Sequence, residues 1–233
     1  MKTCLILPAY NEVKTVASII ERARRVIPNI VVIDDGSTDH TAEQVQLLSQ
    51  TEISTVTLLQ HEQNLGKGMA LRTGFDYALL NGFELVVTMD TDGQHDVADL
   101  PRFLAEFHRR SLAYSVDILI GGRIVSVRHS SMPLHRQLNN WLVSAVGSIL
   151  CGQRVPDFQS GFRLIRSTVL KTVKLETVRY ETESELLIKA SLLGFRIQTL
   201  PISIIYNNEI SHIQTKREMW LFTKLLIRSL RSI

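Results

Sequence analysis

The chain has 233 residues, 45% hydrophobic and 21% charged, a balance that fits one ordinary globular domain and excludes a disordered or low-complexity protein. Its net charge of +3 is too small to mark a nucleic-acid binder. The basic excess is local: residues 216–233 carry Lys216, Arg217, Lys224, Arg228 and Arg231 against Glu218 alone, so that segment is +4 and the remainder is close to neutral.

Strand and helix patterns alternate through the first half. Thr3–Leu7 reads as a strand and Thr15–Val26 as a helix. Ile30–Ile33 is a strand, followed by a helix over Thr38–Ser49 with Ser37 or Thr38 as N-cap. Thr55–Gln60 and Lys67–Leu80 form the next strand and helix, then Leu85–Met89 and Val97–Arg110, and Asp117–Ile120 is a fifth strand. This βαβα order predicts an α/β fold with a mostly parallel central sheet flanked by helices. The second half is less regular. Leu134–Leu150 reads as a largely apolar helix, Phe162–Ile165 as a short strand, Thr182–Leu193 as a helix and Ile197–Ile205 as extended chain. Over Thr215–Leu230 a helical wheel places Arg217, Lys224 and Arg228 on one face, with Arg231 just beyond, and Met219, Phe222, Leu226 and Leu230 opposite, a basic amphipathic helix.

The first apolar stretch, Cys4 to Ala9, is too short for a signal peptide and runs into Tyr10-Asn11-Glu12. No segment reaches the roughly 18 uninterrupted apolar residues of a spanning helix. The two cysteines, Cys4 and Cys151, read as reduced thiols of a cytosolic protein.

Two acidic clusters carry most of the chemistry. Asp34-Asp35-Gly36-Ser37-Thr38-Asp39 and Asp90-Thr91-Asp92-Gly93-Gln94-His95 each follow an apolar strand. Ligands of an open α/β sheet bind beyond the carboxyl ends of the strands. Helix capping explains Ser37, Thr38 or Asp39. It does not explain adjacent Asp34 and Asp35, which repel unless a donor or ligand offsets them. Oxygen ligands at alternating positions around Gly93 suit Mg2+ or Mn2+; an EF-hand is excluded, because no glutamate holds the twelfth position. His95 fits a supporting role better than a ligand's.

The other motifs are weaker singly. In Pro8-Ala9-Tyr10-Asn11-Glu12 the proline stops the first strand, and Tyr10 and Glu12 face the crevice, where a ring can stack on a nucleobase; taken alone, the segment is better read as a strand-ending turn. Asn64-Leu65-Gly66-Lys67-Gly68 opens a helix with N–H groups and a lysine suited to an anion, but it lacks the spacing of a nucleotide-triphosphatase loop. Gly121-Gly122-Arg123 closes the fifth strand, and His135-Arg136 begins the next helix; two arginines there suit a second anion. Asp157-Phe158-Gln159-Ser160-Gly161-Phe162-Arg163 reads as a loop. Glu181, Glu183 and Glu185 open a helix, where acids suit the dipole.

Together the PAYNE, DDGSTD, NLGKG, MDTDGQH, GGR, DFQSGFR and YETESELL segments resemble the family 2 glycosyltransferases, and within them the polyprenyl-phosphate (dolichyl-phosphate) mannose and glucose synthases. The motifs run in the family's order over about residues 4 to 190. The resemblance implies a single GT-A-type nucleotide-sugar-binding domain over 1–233, with a donor half at 1–125, an acceptor-side half at 126–210 and the basic helix at 211–233. It implies that Pro8, Tyr10, Glu12 and Asp35 hold the nucleoside, that Asp90, Asp92 and Gln94 form a DXD-type metal motif, and that Arg123 and Arg136 hold an acceptor phosphate. Asp157 and Arg163 match the family's loop near donor and acceptor; in the reaction this implies, Lys67 adds positive charge near the donor.

The implied reaction is inverting, metal-dependent transfer of a hexose from GDP-mannose or UDP-glucose to a polyprenyl phosphate, by a protein peripheral to the cytoplasmic face of the membrane. Two alternatives stay open. One is a hydroxyl acceptor, with Asp157 or one of Glu181, Glu183 and Glu185 as base. The other is a non-catalytic sugar-nucleotide-binding subunit of a membrane complex. A dinucleotide oxidoreductase is disfavoured, because no G-x-G-x-x-G follows the first strand.

Overall fold

The computed structural model describes residues 1–50, 55–123 and 134–205, with side chains from residue 140 onward in the last stretch. The basic helix expected at 215–230 and the side chain of Arg136 lie outside the described residues. Seven strands, β1 (Thr3–Ala9), β2 (Asn29–Asp34), β3 (Thr55–Gln60), β4 (Leu85–Thr88), β5 (Ile118–Arg123), β6 (Arg163–Arg166) and β7 (Ile197–Ile202), form one sheet in the order β3-β2-β1-β4-β6-β5-β7. β6 pairs antiparallel with both neighbours, and every other pairing is parallel.

The helices are α1 (Val16–Ala23), α2 (Thr41–Ser49), α3 (Lys67–Leu80), α4 (Leu100–Tyr114), α5 (Leu134–Cys151), α6 (Ser167–Thr172) and α7 (Glu181–Leu192), and a 3-10 turn over Val97–Asp99 leads into α4. They cover both faces. Cys4, Ile6, Val31 and Ile33 pack against α3, α5, α6 and α7, whereas Leu5, Leu7, Ile30 and Val32 pack against α1, α2 and α4. Burial on both faces is why these strands read as continuous apolar runs rather than alternating ones.

Three expectations need correction. The second helix begins at Thr41, not Thr38, and neither Ser37 nor Thr38 caps it. His40 holds the N-cap position without a side-chain bond; Asp39 before it accepts the Thr41 N–H at 3.0 Å, and Ser37 and Thr38 are bonded across to Asn11. The helix expected over Val97–Arg110 is divided: a 3-10 turn precedes α4, which runs on to Tyr114 and ends at left-handed Ser115. The six-residue helix α6, which sequence periodicity did not show, follows β6 directly.

One consequence of the topology matters most. β1 to β5 all run the same way, so the segments after β1, β2, β3 and β4 and the end of β5 meet at one edge. Because β6 is reversed, the loop entering it, residues 157–162, arrives at that same edge. Arg163 secures this loop. It is 1% exposed, and its guanidinium donates to the carbonyls of Ser160 (2.7 Å), Phe158 (3.0 Å) and Glu183 (2.6 Å). It therefore joins the loop to the start of α7. Arg163→Met should cost about 3 kcal/mol or more, since each orphaned buried carbonyl costs about 1–3 kcal/mol. Urea denaturation of the two proteins measures the difference, and an unchanged midpoint would remove this role.

Candidate active site

The segments after β1 and β2 are laced into one wall. Ser37 Oγ accepts the Asn11 N–H (2.9 Å), and Asn11 Oδ1 accepts the Thr38 N–H (2.8 Å). Thr41 Oγ1 accepts the Glu12 N–H (2.8 Å), and Asp39 Oδ2 accepts that of Val13 (3.2 Å). Asn11 sits at φ 58°, a left-handed position that asparagine tolerates. Tyr10, at the end of β1, stays 43% exposed at the open edge. Thr91 Oγ donates to the Pro8 carbonyl (2.8 Å) and Thr15 Oγ to the Thr91 carbonyl (2.6 Å), which ties the DTDGQH segment to the same wall.

The two acids of the first cluster differ. Asp35 is 3% exposed and bonded at both oxygens. Its Oδ1 accepts the Leu65 N–H (3.0 Å) and meets His61 Nδ1 (2.7 Å), and its Oδ2 accepts the Gly66 N–H (2.8 Å). His61 in turn meets Thr73 of α3 at 3.0 Å. Asp35, expected at the nucleoside, thus latches the glycine turn. Asp34 is 2% exposed, and its Oδ1 has no hydrogen-bond partner among the described residues. His61 escaped the sequence reading, although its place directly after β3 is at a strand's carboxyl end.

The latch delivers Lys67. Gly66 holds φ 101°, a conformation glycine adopts freely, and α3 starts at the next residue. Lys67 Nζ then lies 2.6 Å from Asp90 Oδ1 and 3.0 Å from Glu183 Oε2. Burial alone would lower the Lys67 pKa; Asp90 and Glu183 outweigh it and raise the value above that of an ordinary lysine. For Asp90, burial pushes the carboxyl up, but Lys67 chiefly overcomes this and holds it at about 2. The backbone at Gly161 lies directly against Asp90: a Cβ there would fall 2.4 Å from its Oδ1.

Asp92 has no such cation beside it. Burial and the neighbouring charge of Asp90 raise its pKa, and one oxygen, Oδ1, accepts the Gln94 N–H (2.9 Å). His95 is 4% exposed and accepts the Asp90 N–H at Nδ1 (3.3 Å); burial lowers its pKa and keeps the imidazole neutral. Chain beyond β7 closes over this segment. Ile204 bridges to His95, and the Ile205 N–H donates to the Gln94 carbonyl (2.9 Å). Among the described residues no three His, Cys, Asp or Glu side chains converge as a ready metal cage. Two carboxylates and an amide are instead the donor set a hard cation takes when phosphate oxygens complete its shell.

Arg123 and Asp157 form the second pair. Asp157 accepts from Arg123 Nε (2.7 Å), Nη2 (2.9 Å) and backbone N–H (2.9 Å). Burial would raise the Asp157 pKa, but the guanidinium beside it brings the value below the usual carboxylate range. Glu185 is spent differently: its carboxylate accepts the N–H groups of Glu176 and Thr177 and pairs with Lys189 at 2.6 Å. Glu181 keeps a buried Oε2 without a hydrogen-bond partner among the described residues.

Residues 4–174 match the family model "Glycosyl transferase family 2". A UDP-N-acetylglucosamine–dolichyl-phosphate N-acetylglucosaminyltransferase of Methanococcus voltae is 33% identical, over 87% of this chain and 85% of its own length. An undecaprenyl-phosphate mannosyltransferase of Micrococcus luteus is 28% identical, over 88% and 84%. Among solved structures, glucosyl-3-phosphoglycerate synthase of Mycobacterium tuberculosis, in complex with Mn2+ and UDP-glucose, superimposes with a TM-score of 0.68 at 20% identity, over 99% of this chain and 78% of that one. That likeness shows the GT-A fold. The chain is therefore a glycosyltransferase belonging to glycosyl transferase family 2, with polyprenyl-phosphate sugar transferases among its relatives.

Proposed function

We propose that the protein transfers a hexose, with inversion, from a nucleoside-diphosphate sugar to a polyprenyl phosphate at the membrane surface. The observation that carries this reading is the Arg123–Asp157 pair. A hydroxyl acceptor needs a general base with a free lone pair and a pKa near working pH. Asp157 has both oxygens chelated and its pKa lowered, so it is ionised but a poor base. Glu183 is held by Lys67, and Glu185 by backbone N–H groups and Lys189, which leaves Glu181, with an unpartnered Oε2 among the described residues, as the base a hydroxyl acceptor would have to use. A phosphate monoester needs no base, since its second ionisation lies near pH 6. Its oxygen attacks the anomeric carbon as the bond to the diphosphate breaks, and the electron pair leaves with the diphosphate.

Each group then has a task. Tyr10, exposed on the wall made by the first two loops, stacks on the base, with Pro8 and Glu12 beside it. Asp35 acts through the turn it latches, and Arg163 through the loop it secures. Arg123, with Arg136 of α5, neutralises and aligns the acceptor phosphate; a planar guanidinium suits that anion. Asp92 and Gln94, with Asp90, would hold Mg2+ or Mn2+. Bound there, the cation would supply positive charge for the leaving diphosphate. The raised pKa of Asp92 fits this task, because a carboxylate crowded by another carboxylate gains from a cation.

Location follows from the acceptor. Among the described residues no helix is long and apolar enough to cross a membrane. α5 instead presents Trp141 (65% exposed), Leu142 and Ile149 outward, side chains suited to a lipid interface. We place the protein peripherally at the cytoplasmic face. The donor sugar and base are to be found by screening GDP-mannose, UDP-glucose and UDP-N-acetylhexosamine.

Incubation with labelled sugar nucleotide, Mn2+ and a polyprenyl phosphate, followed by organic extraction, tests the reading. Label should move to the organic phase; label confined to the aqueous phase in glycoside form would favour a hydroxyl acceptor. Arg123→Ala should raise the KM for lipid phosphate more than that for sugar nucleotide and lower kcat/KM by about one to two orders of magnitude, since a charge-assisted hydrogen bond contributes about 1.5–3 kcal/mol. Equal effects on both substrates would count against an acceptor role. Asp92→Ala should lose nearly all metal-dependent transfer while its melting temperature stays close to the parent's, and full activity in that variant would remove the metal assignment.

A further inference from the structure

Glu183 has no part in the transfer as an acid or a base, yet it is among the best-positioned carboxylates in the protein. It is 6% exposed, and its Oε2 lies 3.0 Å from Lys67 Nζ. Its own carbonyl accepts the Arg163 guanidinium at 2.6 Å. The starts of α3 and α7 are in direct contact: a Cβ on Gly68 would lie 2.0 Å from Thr182 Oγ1, and the Met69 N–H donates to the Val178 carbonyl at 3.0 Å. Backbone packing therefore sets the spacing of Lys67, Asp90 and Glu183.

The arrangement raises a question of exchange. Lys67 occupies Asp90 Oδ1 at 2.6 Å, and a cation bound to Asp90 must displace or share that contact. The Lys67 side chain is only 16% exposed, and a charge so enclosed is costly without a partner. An ammonium has three N–H donors and can serve two carboxylates at once. With Glu183 alongside, Lys67 keeps an anion while Asp90 takes up the cation.

We infer that Glu183 is a positioning residue, the second seat of the Lys67 ammonium, which lets Asp90 exchange its lysine for a divalent cation. The inference rests on the reading of Asp90, Asp92 and Gln94 as the cation's donors. It assigns Glu183 no contact with either substrate, and it makes the start of α7 part of the metal site.

Isothermal titration calorimetry of Mn2+ into the parent, Glu183→Gln, Lys67→Met and the double variant tests it, each with UDP or GDP present and each without. Glu183→Gln should weaken Mn2+ binding by roughly tenfold, the usual effect of losing an outer partner of a metal ligand. The double variant should bind within about twofold of Lys67→Met, since Glu183 then has no ammonium to hold. Lys67→Met should bind Mn2+ without nucleotide at least as tightly as the parent, which keeps the test open if Glu183→Gln fails to fold. Parent-like binding by Glu183→Gln would overturn the inference. So would a double variant as weak as Glu183→Gln, because Glu183 would then act by holding α7 in place. Weaker binding by Lys67→Met would also overturn it. A parent chain that binds no Mn2+ under either condition would overturn the metal assignment itself, and the inference with it.

Discussion

A single ammonium ion between two carboxylates organises the active edge of this protein. Lys67 opens α3, Asp90 follows β4 and Glu183 lies in the first turn of α7, so one side chain joins three elements far apart in sequence. Enclosed charges of this kind are tolerated only when each has a partner, which makes their mutual positions strict. The neighbouring pieces serve that constraint. Asp35 and His61 shape the turn before Lys67, Gly161 leaves room for the Asp90 carboxylate, and Arg163 fastens α7 to the loop beneath it.

The second ion pair divides the labour. Arg123 and Asp157 close on each other where β5 ends and the reversed strand begins. Their chelate withholds Asp157 from proton transfer and keeps a guanidinium fixed at the same edge. Under the proposed function, Asp90 and Asp92 would face a cation and its diphosphate, and Arg123 would face a second phosphate. Among the described residues Asp92 forms no ion pair, and burial together with the charge of Asp90 raises its pKa.

Much of this was legible in the chain. Strands buried on both faces appear as unbroken apolar runs, and β3 and α3 have the bounds that periodicity predicts. The acidic clusters stand out because adjacent like charges need an external cause. The short helix α6 was not legible, since six residues are too few to display a helical period. The N-cap of α2 was misread because Ser37, Thr38 and Asp39 all suit a cap chemically, whereas in the fold Ser37 and Thr38 bond Asn11 and the helix starts after His40.

The sequence by itself determined the family, the alternating architecture and the set of polar residues at the strand ends, because composition and period act locally along the chain. Which of those residues face ligand and which face each other was decided by tertiary structure. Asp35 and Arg163 look like ligand groups in sequence, and in the fold they also bond backbone N–H groups and carbonyls. His61 looks incidental and Glu183 looks like a candidate base, and they prove to be the partners of Asp35 and Lys67. The physical reason is that hydrogen-bond satisfaction is a property of neighbours in space. The two acidic clusters announce a charged site, and only the packing of α3 against α7 determines how those charges are paired.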